Sequence, residues 1–316
     1  MNNPISVVSV VGPTASGKTK LSVELAKHFD GEIISADSMQ IYQGMTIATA
    51  KPDPAEQQGI PHHLMDFLPP DQAYSVAMFV KDAKRCIADI SGRGKLPIVV
   101  GGTGLYVDSL LNNIQFNDEV RDEAYSRSLR EQLQSGGIEP LLKQLEAVDA
   151  ASAQRLAAEK NPRHIIRALE FYHTTGTTIT EQIKQSRSIP SPYRAIKIGL
   201  NFTDREKLYD RINRRVDIML GQGLLEEAKA VLNAPLSHTS VMAIGYKELA
   251  PYLREEATLE ECVEKLKRET RRYAKRQLTW FRRDKAIHWL YADEYDSFLE
   301  LYSAAVQIID KGLVYG

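Results

Sequence analysis

The sequence of 316 residues contains only two cysteines, Cys86 and Cys262. Two cysteines cannot form the disulfide framework of a small secreted domain, and they match no zinc-binding spacing. The sequence also lacks an apolar run of membrane-spanning length. The N-terminus lacks the basic segment and following apolar segment of a secretory signal. These absences predict a protein of the reducing cytoplasm that does not enter a membrane.

Neither sign of charge dominates the sequence. The 40 Lys and Arg residues and 41 Asp and Glu residues leave a formal net charge of −1. Total charge therefore neither favours nor excludes a nucleic-acid partner. Hydrophobic residues make up 43% and charged residues 26%, which is typical of a globular protein with a sizeable core. The distribution of charge and the local motifs must indicate the function.

A phosphate-binding loop lies close to the N-terminus, in the stretch VVSVVGPTASGKTKLSVELA. It matches the pattern G-x-x-x-x-G-K-[ST] without a mismatch, between a β-branched run and a helical pattern. Such a loop directs backbone N–H groups at an anion, with Lys18 as a point charge and Thr19 as a magnesium ligand. The alternative is a simple glycine-rich turn. The predicted anion-binding residues are Gly12, Pro13, Thr14, Ala15, Ser16, Gly17, Lys18 and Thr19.

Strands and helices alternate in the first third of the chain. Strands are predicted at residues 7–11, at 31–38 and in LPIVV, each followed by a turn or helix. This order predicts an α/β fold with a doubly wound parallel sheet of the P-loop NTPase type. Because ligands bind beyond the carboxyl ends of such strands, Asp37 and the GGTG turn (residues 101–104) are expected to share a cleft with the loop.

The pattern changes after residue 117. Residues 118–196 show amphipathic helical segments such as EAYSRSLREQLQ, IEPLLKQLEAVD and RHIIRALEFYHTTG, with almost no strand pattern. A strand returns at residues 195–202, and the rest reads as mostly helical. We therefore predict a discontinuous catalytic core, residues 1–117 and 197–316, interrupted by a helical insertion at 118–196.

Asp37 has three possible roles on local pattern alone. It follows the apolar segment EIIS, so it could supply the carboxylate of a magnesium shell, as in nucleotide hydrolases. It could instead take part in substrate chemistry, because carboxylates at the ends of strands often do. It could also simply cap a turn, which is common for Asp before Ser.

A strongly basic segment lies near the C-terminus. Between residues 265 and 285, ten Lys and Arg residues stand against two acids, a local net charge of +8, with Tyr273, Trp280 and Phe281 among them. On a helix, this makes a basic stripe beside an apolar face, which suits a phosphate backbone. The alternative is a solvated helix anchored by its aromatic residues. The insertion has eleven basic and eleven acidic residues, so only one of its faces could be basic.

The chain resembles the tRNA dimethylallyltransferases, also called tRNA isopentenyltransferases, over essentially its whole length. GPTASGKT and ISADSMQIYQGMTIATAKP are together highly specific to that family. PHHLMDFLPPDQAYSVAMF, PIVVGGTGLYVDSLL, RVDIMLGQGLLEEA, AIGYKEL and RYAKRQLTWFRRD follow in the family's order. The zinc-finger extension of eukaryotic members is missing, so the chain resembles the bacterial type.

The resemblance implies that the loop binds the diphosphate of dimethylallyl diphosphate rather than ATP, with Mg²⁺ at Thr19. The acceptor would be the N6 amine of the adenosine immediately 3′ of the tRNA anticodon (position 37). By the same resemblance, Asp37 is the base that accepts the amine proton, Thr103 lies at the reacting end of the channel, and Arg215 lies near the diphosphate. Without the resemblance, Arg215 would be assigned to an ion pair with Asp217 or Glu227 on the helix surface.

The resemblance also implies a set of tRNA contacts. Gln40 would read the edge of a flipped adenine, and the insertion would clasp the anticodon stem. Many family members have arginine where this chain has His164 or Met39. The expected tRNA contacts are Asp37, Ser38, Met39, Gln40, Thr103, Arg163, His164, Ile165, Ile166, Arg167, Gly245, Tyr246, Lys247, Arg271, Arg272, Lys275, Arg276 and Gln277.

Three other functions compete with this one. A small-molecule P-loop kinase would explain the loop and the sheet but not the insertion or the basic helix. An isopentenyltransferase acting on free adenine nucleotide would share the chemistry but lack a surface that clasps RNA. A non-catalytic RNA-binding protein would not need Lys18, Thr19, Asp37 and Thr103 together. A cytoplasmic monomer is expected.

Overall fold

The computed structural model describes residues 4–116 and 122–314. The chain divides into two compact units. The core unit comprises residues 1–111 and 192–316, and the helical unit comprises residues 112–191. The helical unit thus begins and ends several residues before the predicted bounds, and the predicted boundary at 117/118 lies outside the described residues.

A parallel sheet of six strands forms the centre of the core unit, in the order β3-β2-β4-β1-β5-β6. Its strands are mostly buried, since helices cover both faces. The strands are β1 (Ile5–Val11), β2 (Gly31–Ser35), β3 (His62–His63), β4 (Leu96–Gly101), β5 (Tyr193–Asn201) and β6 (Ile287–Tyr291).

Helices pack on the two faces of this sheet, which confirms the doubly wound α/β prediction. The first four are α1 (Lys18–His28), α2 (Pro54–Gln57), α3 (Val76–Gly92) and α4 (Gly104–Leu111). In chain order, the helical unit then supplies α5 (Glu123–Gly136), α6 (Glu139–Val148), α7 (Ala150–Glu159), α8 (Pro162–Thr175) and α9 (Ile179–Ser188). The core unit resumes with α10 (Arg205–Gly221), α11 (Leu224–Leu232), α12 (Tyr246–Leu253), α13 (Leu259–Phe281) and α14 (Phe298–Val314).

The helical unit has a small core of its own. Leucine and isoleucine side chains from α5, α6, α7 and α8 form one apolar cluster in it. Asparagine or aspartate side chains cap several of these helices; Asn161, for example, accepts from the backbone N–H of Arg163 at the start of α8. The amphipathic helices predicted here are therefore present, as α5, α6 and α8.

Three details of the sequence prediction are wrong. Strand β2 ends at Ser35, so Asp37 lies in the turn after it and not in the strand. Strand β5 begins at Tyr193, two residues before the predicted start. The prediction also missed two strands, β3 and β6, although the C-terminal region is otherwise mostly helical, as predicted. β3 and β6 are short edge strands, and the periodicity of each is too brief to separate it from a loop.

Candidate functional site

The phosphate loop connects β1 to α1 at the carboxyl edge of the sheet. Gly17 precedes α1 in a left-handed conformation (φ 100°, ψ 13°), and no side chain caps the helix. The first N–H groups of α1 are therefore open to an anion, and the positive end of the helix dipole points at the same place. This is the arrangement that the motif predicts.

Lys18 lies in the loop with its ammonium group held by backbone carbonyls. Its Nζ donates to Gly12 O at 3.0 Å and to Pro13 O at 2.7 Å. Burial lowers the pKa of Lys18 from its usual value to about 7. The positive charge of Arg215 also lowers this pKa, and the negative charge of Asp37 opposes the shift. Lys18 thus lies within electrostatic reach of both groups.

Asp37 and Thr103 lie in the turns that follow the neighbouring strands β2 and β4, and Ser38 joins the two turns. Asp37 Oδ1 accepts from the backbone N–H groups of Met39 at 2.9 Å and Gln40 at 3.4 Å, so this oxygen caps the turn. Thr103 Oγ1 accepts from the backbone N–H of Ser38 at 3.0 Å. In the described part of the chain, no hydrogen bond to Asp37 Oδ2 is formed. The capping role and a chemical role are therefore compatible, because each uses a different oxygen.

Gln40 does not offer its amide to a base in this structure. Its Nε2 donates to Thr49 O at 3.2 Å and Ala50 O at 3.1 Å, and its Oε1 accepts from Ser35 Oγ at 3.1 Å. These bonds hold the 46–50 loop against the end of β2. The Gln40 amide is therefore engaged at both ends within the protein, and its reading of adenine stays a prediction.

Two arginines of α10 contact the phosphate loop. Arg215 Nη1 donates to Thr14 Oγ1 at 3.3 Å, and Arg211 Nε donates to Ala15 O at 2.8 Å. Neither pairs with a carboxylate among the residues that the structure describes. The acids considered for Arg215 are otherwise engaged: Asp217 pairs with Lys267 at 2.9 Å, and Glu227 accepts from backbone amides of the 46–48 segment. Unpaired guanidinium groups beside a phosphate loop favour an anionic ligand.

The sequence prediction missed Arg211, although its spacing provides a signal. It lies four residues before Arg215, one helical turn away on the same side of α10. Burial lowers the pKa of Arg215 from its usual value, and the charge of Arg211 adds to the effect. Two like charges held close together near Lys18 give the site a positive field.

A magnesium ion bound here would take some of its oxygen ligands from the protein and the others from a phosphate and water. The described residues contain no group of three or more His, Cys, Asp or Glu side chains that could hold a metal ion. Thr19 offers a single hydroxyl in the first turn of α1. Mg²⁺ commonly binds through one or two protein oxygens, substrate phosphate oxygens and water, so this donor set fits it.

The basic side chains of α13 are in different environments. Arg271 Nη1 donates to Asn213 Oδ1 at 2.6 Å and is half-buried, and Arg272 pairs with Glu269 at 2.7 Å. Arg276 lies over the ring of Tyr273, with its Cζ 5.7 Å from the ring centre. Lys275 and Arg276 are exposed. The aromatic residues face inwards, so the exposed surface of α13 is basic rather than aromatic.

The predicted tRNA contacts on α8 lie on two opposite faces. Arg163, His164 and Arg167 are exposed, and His164 Nδ1 lies 2.9 Å from Glu159 Oε2. Ile165 and Ile166 are buried in the core of the helical unit, so their side chains pack against protein, and their contact with RNA stays a prediction. Their spacing to the apolar positions of the same helix could have shown this.

Two further predicted RNA contacts are also buried. The Tyr246 side chain is 2% exposed, and its hydroxyl donates to Glu227 Oε1 at 2.9 Å. Gln277 is 5% exposed, and its amide bonds within the protein. Both side chains bond within the core unit, and the contact of either residue with RNA stays a prediction. Beside Tyr246, the Lys247 side chain is exposed, and its neighbour Gly245 precedes α12 with φ 121°.

The geometry can be compared with known families and proteins. The family model described as IPP transferase matches residues 40–284, and the model described as isopentenyl transferase matches residues 5–66. A protein of Thermoanaerobacter sp. (strain X514) named tRNA dimethylallyltransferase is 48% identical over 300 residues, covering 94% of this chain and 95% of the relative. A protein of the same name from Oceanobacillus iheyensis is 46% identical and covers 90% of each chain.

Solved structures are similar as well. The full-length tRNA isopentenylpyrophosphate transferase of Bacillus halodurans is 42% identical, with a TM-score of 0.70 over 97% of both chains. A eukaryotic dimethylallyltransferase, crystallised in snapshots of its action on tRNA, is 31% identical, with a TM-score of 0.81 over 98% of this chain and 79% of that chain. The similarity therefore covers both the core unit and the helical unit.

Proposed function

This chain belongs to the tRNA dimethylallyltransferase family, and we propose that it transfers a dimethylallyl group from dimethylallyl diphosphate to an adenosine of tRNA. The acceptor is the N6 amine of the adenosine immediately 3′ of the anticodon, and the products are N6-isopentenyladenosine and diphosphate. One observation carries the proposal at the level of the site. A phosphate loop and a carboxylate with an open oxygen follow β1 and β2, the two strands that flank β4, and Thr103 lies in the turn after β4.

Asp37 is the proton acceptor in this proposal. The adenine N6 lone pair is delocalised into the ring, which makes the amine a poor nucleophile. N6 forms a bond to the allylic carbon as the bond from that carbon to the diphosphate oxygen breaks, and the N6 proton passes to Asp37 Oδ2. Because Oδ1 is fixed by the turn, the carboxylate needs no rearrangement to accept it.

The leaving diphosphate is stabilised by the phosphate loop. Several positively charged or N–H groups surround the loop: the open N–H groups of α1, the Lys18 ammonium and the guanidinium groups of Arg211 and Arg215. Thr19 would hold Mg²⁺, which neutralises further charge on the departing oxygens when bound. The developing positive charge on the allylic carbon is shared with its double bond, so the protein must chiefly stabilise the anion.

The tRNA is held by basic surfaces in this proposal. The core unit supplies Lys275 and Arg276 from α13, and the helical unit supplies Arg163 and Arg167 from α8. The chain has a net charge of −1, so binding depends on these local surfaces rather than on total charge. None of the described helices is long and apolar enough to cross a membrane.

A donor–acceptor exchange assay tests the proposal. The protein is incubated with labelled dimethylallyl diphosphate and either an unmodified tRNA transcript, the same transcript with guanosine in place of the acceptor adenosine, or AMP. We expect label in the first tRNA alone, and N6-isopentenyladenosine after its digestion to nucleosides. Labelled ATP with the same acceptors is the control donor, and no phosphoryl transfer is expected.

The two rival enzymes give different results in this assay. Label entering AMP as fast as tRNA would identify a nucleotide isopentenyltransferase and overturn the tRNA assignment. Transfer of phosphate from ATP to an acceptor would identify a kinase.

A further inference from the structure

Three side chains on one face of α13 dock into the GGTG turn. Tyr273, Gln277 and Trp280 follow one another at intervals of four and three residues, so they line one side of the helix. Burial and the negative charge of Asp37 raise the pKa of Tyr273, and the neighbouring Thr103 and Gln277 oppose this shift. Trp280 Nε1 donates to Asp108 Oδ2 at 2.6 Å. This helix therefore touches the reacting end of the predicted channel.

Gln277 connects this turn to the phosphate loop. Its Oε1 accepts from the backbone N–H of Thr14 at 2.9 Å, and its Nε2 donates to Gly102 O at 3.1 Å. Thr14 N can only donate and Gly102 O can only accept, so the orientation of the amide is fixed. One buried side chain thus joins the loop after β1 to the turn after β4.

Glycines occupy the two positions of the turn that Gln277 and Trp280 contact. A Cβ atom on Gly102 would lie 2.0 Å from Nε2 of Gln277, and a Cβ atom on Gly104 would lie 2.2 Å from Cδ1 of Trp280. Both distances are far below any van der Waals contact. The two glycines of the turn are therefore required by the close approach of α13, and Gln277 fits without free space.

We propose that Gln277 is a positioning residue that fixes the donor-binding loop relative to Thr103 and Asp37. The inference rests on the proposed transfer reaction and deepens it. On one side, Gln277 accepts from the backbone of Thr14, whose hydroxyl accepts from Arg215. On the other side, it donates to the carbonyl of Gly102, the residue before Thr103, and Thr103 accepts from Ser38 next to Asp37. The side-chain amide of Gln277 thereby sets the distance between the allylic carbon of the donor and the N6 amine of the acceptor adenosine.

Gln277→Met and Gln277→Glu test this role. Methionine has a similar size but forms neither bond, so kcat should fall by about 10–100-fold, the scale of a misplacement near 1 Å. The Kd for tRNA should stay within about twofold, because the exposed cations of α13 are unchanged. Thr279→Ala, an exposed position of the same helix, is the matched control and should keep wild-type kcat.

The Gln277→Glu variant adds a pH readout that a loss of packing alone would not give. An ionised carboxylate cannot donate to Gly102 O, whereas a protonated one can donate through its O–H. Because burial raises carboxyl pKa values, part of the variant is protonated near pH 6. Its activity relative to wild type should rise by about 3–10-fold between pH 8 and pH 6, whereas the relative activity of Gln277→Met should not change.

Two results would overturn the proposal: wild-type kcat in Gln277→Met, or equal pH dependence of the two variants. Binding of inorganic pyrophosphate, measured by calorimetry, gives a readout that does not need turnover. We expect Gln277→Met to bind it about fivefold more weakly, because the loop is no longer held in place. If the wild type transfers no label, the proposed function fails, while the pyrophosphate result still decides the role of Gln277.

Discussion

The two oxygens of Asp37 have separate tasks at the scale of single residues. Oδ1 caps the turn after β2, and Oδ2 is available for the acceptor amine. An aspartate in such a turn can be exchanged for asparagine with little loss of capping, because asparagine accepts the same N–H groups. The exchange therefore removes the base while keeping the turn.

Asp37→Asn should lower kcat by about 10²–10⁴-fold, the usual contribution of a general base. The Kd for tRNA and the melting temperature should change little. The measurement is single-turnover transfer of labelled dimethylallyl groups to tRNA. Asp122→Asn, which alters a helix-capping aspartate of the helical unit, is the control and should stay fully active. Retention of more than half of wild-type turnover by Asp37→Asn would remove Asp37 from the mechanism.

Lys18 should take up a proton when the donor diphosphate binds. Its pKa of about 7 leaves it mostly neutral at pH 8 and mostly charged at pH 6. A bound diphosphate raises this pKa, because an adjacent negative charge favours the ammonium form. Binding at pH 8 should therefore take up roughly one proton through Lys18, and binding at pH 6 almost none.

Calorimetric titration with inorganic pyrophosphate in two buffers of different ionisation enthalpy measures this uptake. Lys18→Arg keeps the positive charge and cannot lose it, so the difference between wild type and variant isolates the Lys18 proton. Lys20→Arg, on the exposed side of α1, should behave like the wild type. Identical proton counts at pH 8 for wild type and Lys18→Arg would contradict the prediction.

At the scale of elements, the sequence predicted the phosphate loop and its neighbours well, because their signals are local. The loop motif, the following helix and the strands β1 and β4 each have a short, strong pattern. The hydrogen bonds of Gln277 were not predicted, because its partners Thr14 and Gly102 are 263 and 175 residues away in the chain. No local pattern reports such contacts, although the 3–4 spacing from Ala274 to Phe281 does indicate a buried face.

Helix α13 should contribute to tRNA binding through its exposed cations. Replacing both Lys275 and Arg276 by glutamine should flatten the slope of log Kd against log salt by about one to two units, since each phosphate contact contributes about 0.7–0.9. Arg271 is excluded from the test, because its bond to Asn213 is part of the fold. The measurement is a salt titration of tRNA binding by fluorescence anisotropy.

The matched control removes the same charge from another helix. Lys81 and Arg85 are exposed on α3, and their double glutamine variant should keep the wild-type salt slope. Pyrophosphate binding should be unchanged in both double variants, because the phosphate loop is built from other residues. If both double variants flatten the slope equally, the effect comes from total charge and α13 has no specific contact with RNA.

At the scale of the whole molecule, the chain combines two units with separate apolar cores and a nearly neutral total charge. Sequence patterns could predict this division, because the core unit alternates strands and helices and the helical unit does not. They could not predict its bounds, since polar and apolar residues are mixed without a clear period around positions 112 and 191. Sequence patterns also could not predict which acidic and basic side chains pair across strands, because such pairs form only in the folded sheet.

One such pairing links three elements of the core unit through Glu32 of β2. This buried carboxylate accepts from Arg93, which follows α3, at 2.7 Å, and lies 2.8 Å from Nε2 of His63 on β3. The hydrogen bond from Arg93 lowers the pKa of Glu32 from its usual value to about 2, although burial opposes the shift. The folded state thus holds the ionised form more strongly than the unfolded chain does.

The stability that Glu32 contributes should be present at neutral pH and lost in acid. A depressed folded-state pKa means that the unfolded chain binds the proton first, so the contribution is complete above about pH 5.5 and disappears as the pH falls towards 2. Glu32→Gln should therefore cost about 1–3 kcal/mol at pH 7, the scale of hydrogen bonds to a charged group. Urea unfolding at pH 7, 5, 4 and 3 measures the difference between wild type and variant. Glu24→Gln, which removes a half-buried partner of Lys27 on α1, should cost far less at every pH. A difference for Glu32→Gln that stays constant down to pH 3 would show that the pairing does not set the acid stability of the core unit.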